Sequence, residues 1–154
     1  MDLTTALFSL NGRLSRLAYF GYGSLAWAIG AVLIVVGAVG LAATDSGHGA
    51  QAIGLLLVLS AVGFIFWTSI AIAAKRLHDL GLSALNLVWI CLLDGVCSGI
   101  SEVARPSEPV LAFVLSLVPL GVGLWLLFAP GQPHDNPFGP ASGKAGPQAT
   151  SAPA

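Results

Sequence analysis

The chain has 154 residues, 56% of them apolar and only 8% charged, with six basic and seven acidic side chains and a net charge of −1. A soluble domain carries about 25% charged residues, so these side chains cannot cover a soluble surface and lipid must cover most of it. The near-zero net charge gives no bulk attraction to nucleic acid, and none is expected as a partner.

Residues 1–16 form an N-terminal interfacial segment. Leu3, Leu7, Leu10, Leu14 and Leu17 recur at helical spacing, which predicts a short helix on the membrane surface before Asn11-Gly12. The segment has no early basic region, and Thr44-Asp45 after the first long apolar run is no clean cleavage motif, so the first span is read as retained.

Residues 17–129 form the membrane domain. Four apolar stretches, Leu17–Ala43, Ala52–Ala74, Ala84–Ile100 and Val110–Ala129, predict four transmembrane helices in an all-α bundle. A crossing needs about 20 apolar residues. The third stretch is the shortest and contains Asp94, so a re-entrant third segment with only three spans is the alternative. Polar connections are expected over residues 44–49, 75–83 and 101–109.

Small residues recur every seven positions at Gly23, Gly30 and Gly37 in the first span and at Gly54, Ala61 and Thr68 in the second. Such stripes permit close backbone approach. The two spans are expected to pack along them as an antiparallel, left-handed hairpin.

Gly81 suits a left-handed cap ending the second helix, and Ser83 can cap the start of the third. On the third helix, Cys91, Asp94, Ser98 and Ser101 share a stripe, with Asn86 nearer one end. A carboxylate at mid-membrane costs about 2.5–3.5 kcal/mol on insertion scales, so this stripe is expected to face protein or water. Cys91 and Cys97 stand roughly 9 Å apart on a helix, too far for a disulfide. They read as buried structural cysteines. No Cys or His pair has metal-ligand spacing, and no metal or cofactor is expected.

Residues 130–140 form a turn motif, in which Asn136-Pro137-Phe138-Gly139 is expected to return Phe138 to the membrane surface. Residues 141–154, rich in Pro, Gly, Ala and Ser, are expected to be disordered.

Orientation follows from the basic residues. With four spans, Arg13, Arg16, Lys75, Arg76 and Lys144 share one side and only Arg105 lies on the other, so both termini are expected to be cytoplasmic. Trp27, Trp67, Trp89 and Trp125 all fall in the cytoplasmic half of their spans. They read as an interfacial belt or, for some rings, as the lining of an inward-facing pocket.

Three polar segments then converge on the cytoplasmic face, carrying Arg13 and Arg16, then Lys75, Arg76, His78 and Asp79, then Asp135 and Asn136. One reading is a lipid anchor, at about 1 kcal/mol per basic residue near anionic headgroups. The other is a fixed ion-pair cluster, with Arg76 or Arg13 bonded to Asp79 or Asp135 in geometrically specific forks. Catalysis by His78 and Asp79 is not expected, since neighbouring helical side chains point about 100° apart and no catalytic motif accompanies them.

The order and spacing of Gly12-Arg13-Leu14-Ser15-Arg16 with Tyr19, then Arg76-Leu77-His78-Asp79 with Gly81 and Ser83, then Pro130-Gly131 with Asn136 to Gly139, resemble the domain-of-unknown-function 805 family of small bacterial inner-membrane proteins. The resemblance covers about residues 8–140. It departs at Leu82, where members often carry a basic residue. It implies a bacterial inner membrane and no established activity. The functional expectation is a non-enzymatic structural or accessory subunit. Its expected partners are membrane lipids and another membrane protein or a second copy in a homo-oligomer. The alternative is a small-solute or ion transporter using the Asp94 stripe.

Overall fold

The computed structural model describes residues 2–43 and 47–141. They form five helices: α1 (Leu3–Phe8), α2 (Arg16–Ala42), α3 (Gly47–Asp79), α4 (Asn86–Ala104) and α5 (Pro109–Phe128). Among the described residues there is no strand, and a lone bridge joins Asn136 to Gly139. The expected disordered tail lies outside the described residues except for Ala141, as do residues 44–46 of the connection expected over 44–49.

α2, α3, α4 and α5 are each long and apolar enough to cross a membrane, with mean hydropathies of 2.5, 2.4, 1.6 and 2.4 in their best windows. No more than 22% of any such window is buried within the protein. Leucine, valine and phenylalanine side chains therefore point outward along all four helices, as in Val32, Leu56, Val96 and Phe113. Water would penalise that surface at about 25 cal/mol per Å², whereas lipid tails do not. This is a multi-pass membrane protein. α4 runs unbroken over 19 residues, so it does not turn back as a re-entrant segment would.

Three helix ends extend beyond the sequence expectation, the first being the start of α3 at Gly47, inside the connection expected over residues 44–49. α3 continues past Ala74 to Asp79, so Lys75, Arg76, His78 and Asp79 sit on its last turns rather than in a loop. α4 likewise continues to Ala104. In α3 the extension is sustained because its charged side chains find partners in the fold, as described below.

α2 and α3 form a tight hairpin. A Cβ on Gly54 would lie 2.6 Å from the Gly37 carbonyl oxygen and 2.7 Å from the Leu41 nitrogen. Neither atom can move without breaking a helix, so these backbones meet where only glycine fits. A Cβ on Gly30 would strike the Ile65 side chain, and Gly40 packs on the Gly54 Cα. Ala61 and Thr68 are fully buried along the same seam, with the Thr68 hydroxyl bonded back to Phe64 O at 2.8 Å. Gly23 stands outside this contact, since a Cβ there would meet nothing within 4 Å.

α4 and α5 form a second hairpin, in which buried Ser101 donates to Ala112 O at 2.8 Å. Between the two hairpins lie clefts of about 430 and 300 Å³. α1 packs on the flank of α3, its Phe8 ring 6.1 Å from that of Phe64. Leu7, Leu14, Ala26 and Ile72 form the small apolar core beside it.

Candidate functional site

The hairpins are joined at one end, where α2 begins and α3 and α5 finish. Three local features aim polar groups there. Gly81 at φ +80° ends α3. Gly81 N–H bonds to His78 O and Leu82 N–H to Leu77 O, the pairing of a Schellman cap. Gly12 at φ +100° turns the chain ahead of α2 so that Arg13 enters the protein, and Leu14 N–H bonds to Lys75 O at 3.2 Å. After α5, Gln132 N–H bonds to Asp79 O at 2.8 Å and brings the following segment against the end of α3.

Asp79 is the centre. Its Oδ2 accepts from Arg76 Nη1 at 2.6 Å. Its Oδ1 accepts from Arg13 Nε at 3.2 Å and lies 3.2 Å from Arg13 Nη2. The i,i+3 spacing of Arg76 and Asp79 puts them on one helix face. All three side chains are at most 2% exposed.

The remaining guanidinium donors go to main-chain carbonyls at the chain's turns. Arg13 donates to Gln132 O at 2.6 Å, His134 O at 2.8 Å and Gly139 O at 3.2 Å. Arg76 donates to Leu126 O at 2.7 Å, to Leu14 O at 3.3 Å and to Ala129 O. One arginine thus fastens the segment after α5, and the other fastens the end of α5 itself. Carbonyls at a helix C-terminus lack intrahelical donors, which is why cations settle there.

The segment 130–139 is shaped to fit. A Cβ on Gly131 would lie 2.0 Å from Asp79 Oδ2, so only glycine lets the chain pass the carboxylate. A Cβ on Gly81 would strike the Gln132 amide. Asn136 Nδ2 donates to His78 O at 2.9 Å and to Gln132 Oε1 at 3.0 Å, while its Oδ1 accepts Phe138 N–H at 3.0 Å. Phe138 stacks on the His78 ring, with centroids 4.1 Å apart and planes 2° apart. His78 Nδ1 lies 3.2 Å from Gly12 O, which it satisfies as a donor. These contacts link all three polar segments.

Lys75, though fully buried, belongs to a second site. Its ammonium donates to Thr5 O at 2.7 Å and to Ala6 O, near the C-terminal end of α1. Arg16 is exposed and reaches only Phe128 O at 3.4 Å. Asp135 bonds to neither arginine but accepts Ala141 N–H at 2.9 Å. The expected ion pairs therefore run to Asp79 and not to Asp135.

The polar residues of α4 meet different surroundings: Cys91 and Asp94 line one cleft, and Ser101 is buried against α5. Asn86 bonds to Ser83 O at 3.0 Å beside its own helix start, and Ser98 points outward. Cys97 is buried but Cys91 is exposed. Asp94 lines the 300 Å³ cleft with Ser69 and Pro119, and its enclosed Oδ1 has no hydrogen-bond partner among the described residues. All four tryptophans are at least 45% exposed, and Trp27 also borders the 430 Å³ cleft.

Four residues outside the candidate site as read from sequence now belong to it: Gly12, Gly131, Gln132 and Phe138. Their signal was their place in polar segments beside helix ends, where glycine and an amide often organise turns. The carbonyl acceptors carried no signal, because every residue has one.

The fold and this buried Arg–Asp–Arg clamp define a four-span helical membrane protein sealed at one end by its own polar turns. The family model "Protein of unknown function (DUF805)" matches residues 7–140, and the chain belongs to that family. The match covers every residue of the clamp, from Arg13 to Gly139. No curated protein and no solved structure matches the chain.

Proposed function

We propose that the chain is a non-enzymatic, multi-pass protein of the bacterial inner membrane with both termini in the cytoplasm. It acts as a structural or accessory subunit whose rigid cytoplasmic face meets lipid headgroups or a membrane-protein partner. The observation that carries this reading is how the clamp spends its donors. Arg13 and Arg76 direct hydrogen bonds to six main-chain carbonyls and to Asp79. A guanidinium committed in this way holds the chain rather than turning over a substrate. His78 is stacked under Phe138, and its Nδ1 is held at Gly12 O. In-cell cross-linking of an Arg16→Cys variant, followed by purification in mild detergent, tests the reading. A defined membrane-protein partner or lipid adduct is expected. A soluble substrate processed by the pure protein would replace this reading with an enzyme.

One observation favours a second reading, a small-solute or ion transporter. Among the described residues, Asp94 has an unpartnered oxygen in a cleft between the hairpins, and intramembrane carboxylates often mark ion paths. Flux into proteoliposomes that is lost in Asp94→Asn would favour it.

A further inference from the structure

The clamp does not use every polar group at this end. Ser15, Arg16, Arg76 and Gln132 line a recess of about 260 Å³ between the start of α2 and the segment after α5. Asp79 also borders it, but that carboxylate is already bracketed by Arg13 and Arg76. Two guanidiniums, Arg16 and Arg76, thus line the recess against one carboxylate, and the recess carries a net positive charge. Arg76 donates four hydrogen bonds and its side chain is fully buried, so it lends the recess charge rather than a free donor. Exposed Arg16 makes a single long hydrogen bond.

Directly below lies the 430 Å³ cleft. The two are in register on every helix that lines them. On α2, Ser15 and Arg16 stand one turn above Tyr19 and Phe20; on α3, Arg76 stands one turn above Ile72; on α5, Phe128 O, which binds Arg16, follows Leu127. The cleft is kept open by absent side chains. A Cβ on Gly23 or on Gly123 would meet nothing within 4 Å. A cationic cup thus sits over an apolar slot that opens between the hairpins.

We infer that this composite groove is a binding site for one anionic phospholipid, with its phosphodiester in the Arg16–Arg76 recess and an acyl chain in the Gly23–Gly123 slot. The inference rests on the proposed function in one respect, that this end lies at headgroup depth. Phosphate oxygens accept from guanidinium forks, and basic pockets between membrane helices on the cytoplasmic side suit anionic headgroups. A zwitterionic lipid would bring its own ammonium to a cationic recess, which disfavours it. Free phosphate would fill the cup and leave the slot empty.

The slot's own tryptophan, Trp27, reports occupancy. The full chain carrying Trp67→Phe, Trp89→Phe and Trp125→Phe is titrated in neutral detergent with phosphatidylglycerol or phosphatidylcholine brominated on the acyl chains. Half-quenching is expected at about a fivefold lower mole fraction for phosphatidylglycerol, the selectivity one arginine confers. Arg16→Gln, which leaves the Arg13–Asp79–Arg76 clamp intact, should remove the preference. Gly123→Leu should remove saturable quenching by either lipid. Equal quenching by both lipids in the parent chain overturns the inference, as does a preference that survives Arg16→Gln. Loss of the preference in millimolar inorganic phosphate would reassign the recess to soluble phosphate. Should the tryptophan variants fail to fold, native mass spectrometry of the unmodified chain makes the same comparison. One retained phosphatidylglycerol and no retained phosphatidylcholine supports the site, and equal retention rejects it. Micelles have no inside or outside, so an inverted topology would overturn the proposed orientation without altering this result.

Discussion

At the scale of single residues, Arg76 shows why charge alone does not describe this site. Lysine would keep the positive charge, yet its ammonium cannot reach Leu126 O, Leu14 O, Ala129 O and Asp79 Oδ2 from one position. Each acceptor left buried and unbonded costs about 1–3 kcal/mol. Arg76→Lys is therefore expected to lower the melting temperature in detergent clearly, whereas an anchor that needed only charge would tolerate it. Asn136→Ala is expected to cost about 1–3 kcal/mol by removing the donor to Gln132 Oε1 and the acceptor of Phe138 N–H, while His78 O keeps its bond from Gly81 N–H. The two sites meet through Gln132, whose N–H binds the main chain of Asp79. The double variant should thus lose less than the sum of the singles, by about 0.5–3 kcal/mol. Additive losses would mean two independent supports. The charged side chains of this cluster stood out in the sequence as dense polar segments between apolar runs. Which acid they would choose did not. Asp79 and Asp135 are equivalent on a charge count, and what selects Asp79 is the continuation of α3 through it, which sets it at i,i+3 from Arg76, and the passage of Gly131 beside it.

At the scale of elements, the glycines divide into two kinds that a seven-residue period cannot separate. Gly37 and Gly54 touch backbone, and Gly23 faces open space. Gly54→Ala is expected to destabilise the α2–α3 hairpin by about 1–3 kcal/mol, because the added methyl meets fixed main-chain atoms. Gly23→Ala is expected to change stability by less than about 0.5 kcal/mol. Thermal melts of the two variants in one detergent make the comparison, and equal losses would remove the distinction. The apolar cores of all four long helices were legible, since a continuous apolar run needs no partner to be recognised. The last turns of α3 were not. Polar residues after an apolar run read as a loop, and only their acceptors on Leu14, Leu126, Ala129 and α1 keep them helical. The segment after α5 supplies part of that support, because Arg13 binds three of its carbonyls, the last at Gly139. Truncation after Ala141 should therefore preserve the melting temperature, and truncation after Ala129 should lower both stability and membrane abundance. Equal behaviour of the two truncations would show that the segment is dispensable.

At the scale of the whole molecule, the clamp constrains topology without reference to charge. Arg76 near the end of α3 binds Leu14 just before α2 and Ala129 just after α5. The entry to the first span and the exit from the last therefore lie at the same end. That arrangement requires an even number of crossings, which α2, α3, α4 and α5 supply. It leaves two orientations, of which the distribution of basic residues supports the proposed one, with both termini in the cytoplasm. Among the described residues Arg13, Arg16, Lys75 and Arg76 lie on the clamp side, against Arg105 on the other, and a basic excess favours retention in the cytoplasm. Burial of Arg13, Lys75 and Arg76 in the folded protein does not weaken this argument, because orientation is set during insertion, before those side chains find their partners. The expected outcome is read by a membrane-impermeant maleimide on intact cells, in a chain whose natural thiols are replaced by Cys91→Ser and Cys97→Ala. Single cysteines placed at His48 and Glu108 should label, and those placed after Met1 or at Ala154 should label only once the membrane is permeabilised. Labelling at both termini in intact cells would invert the orientation and leave the clamp unchanged. Labelling at one terminus alone would contradict the shared end, and with it the contacts of Arg76 to both Leu14 and Ala129.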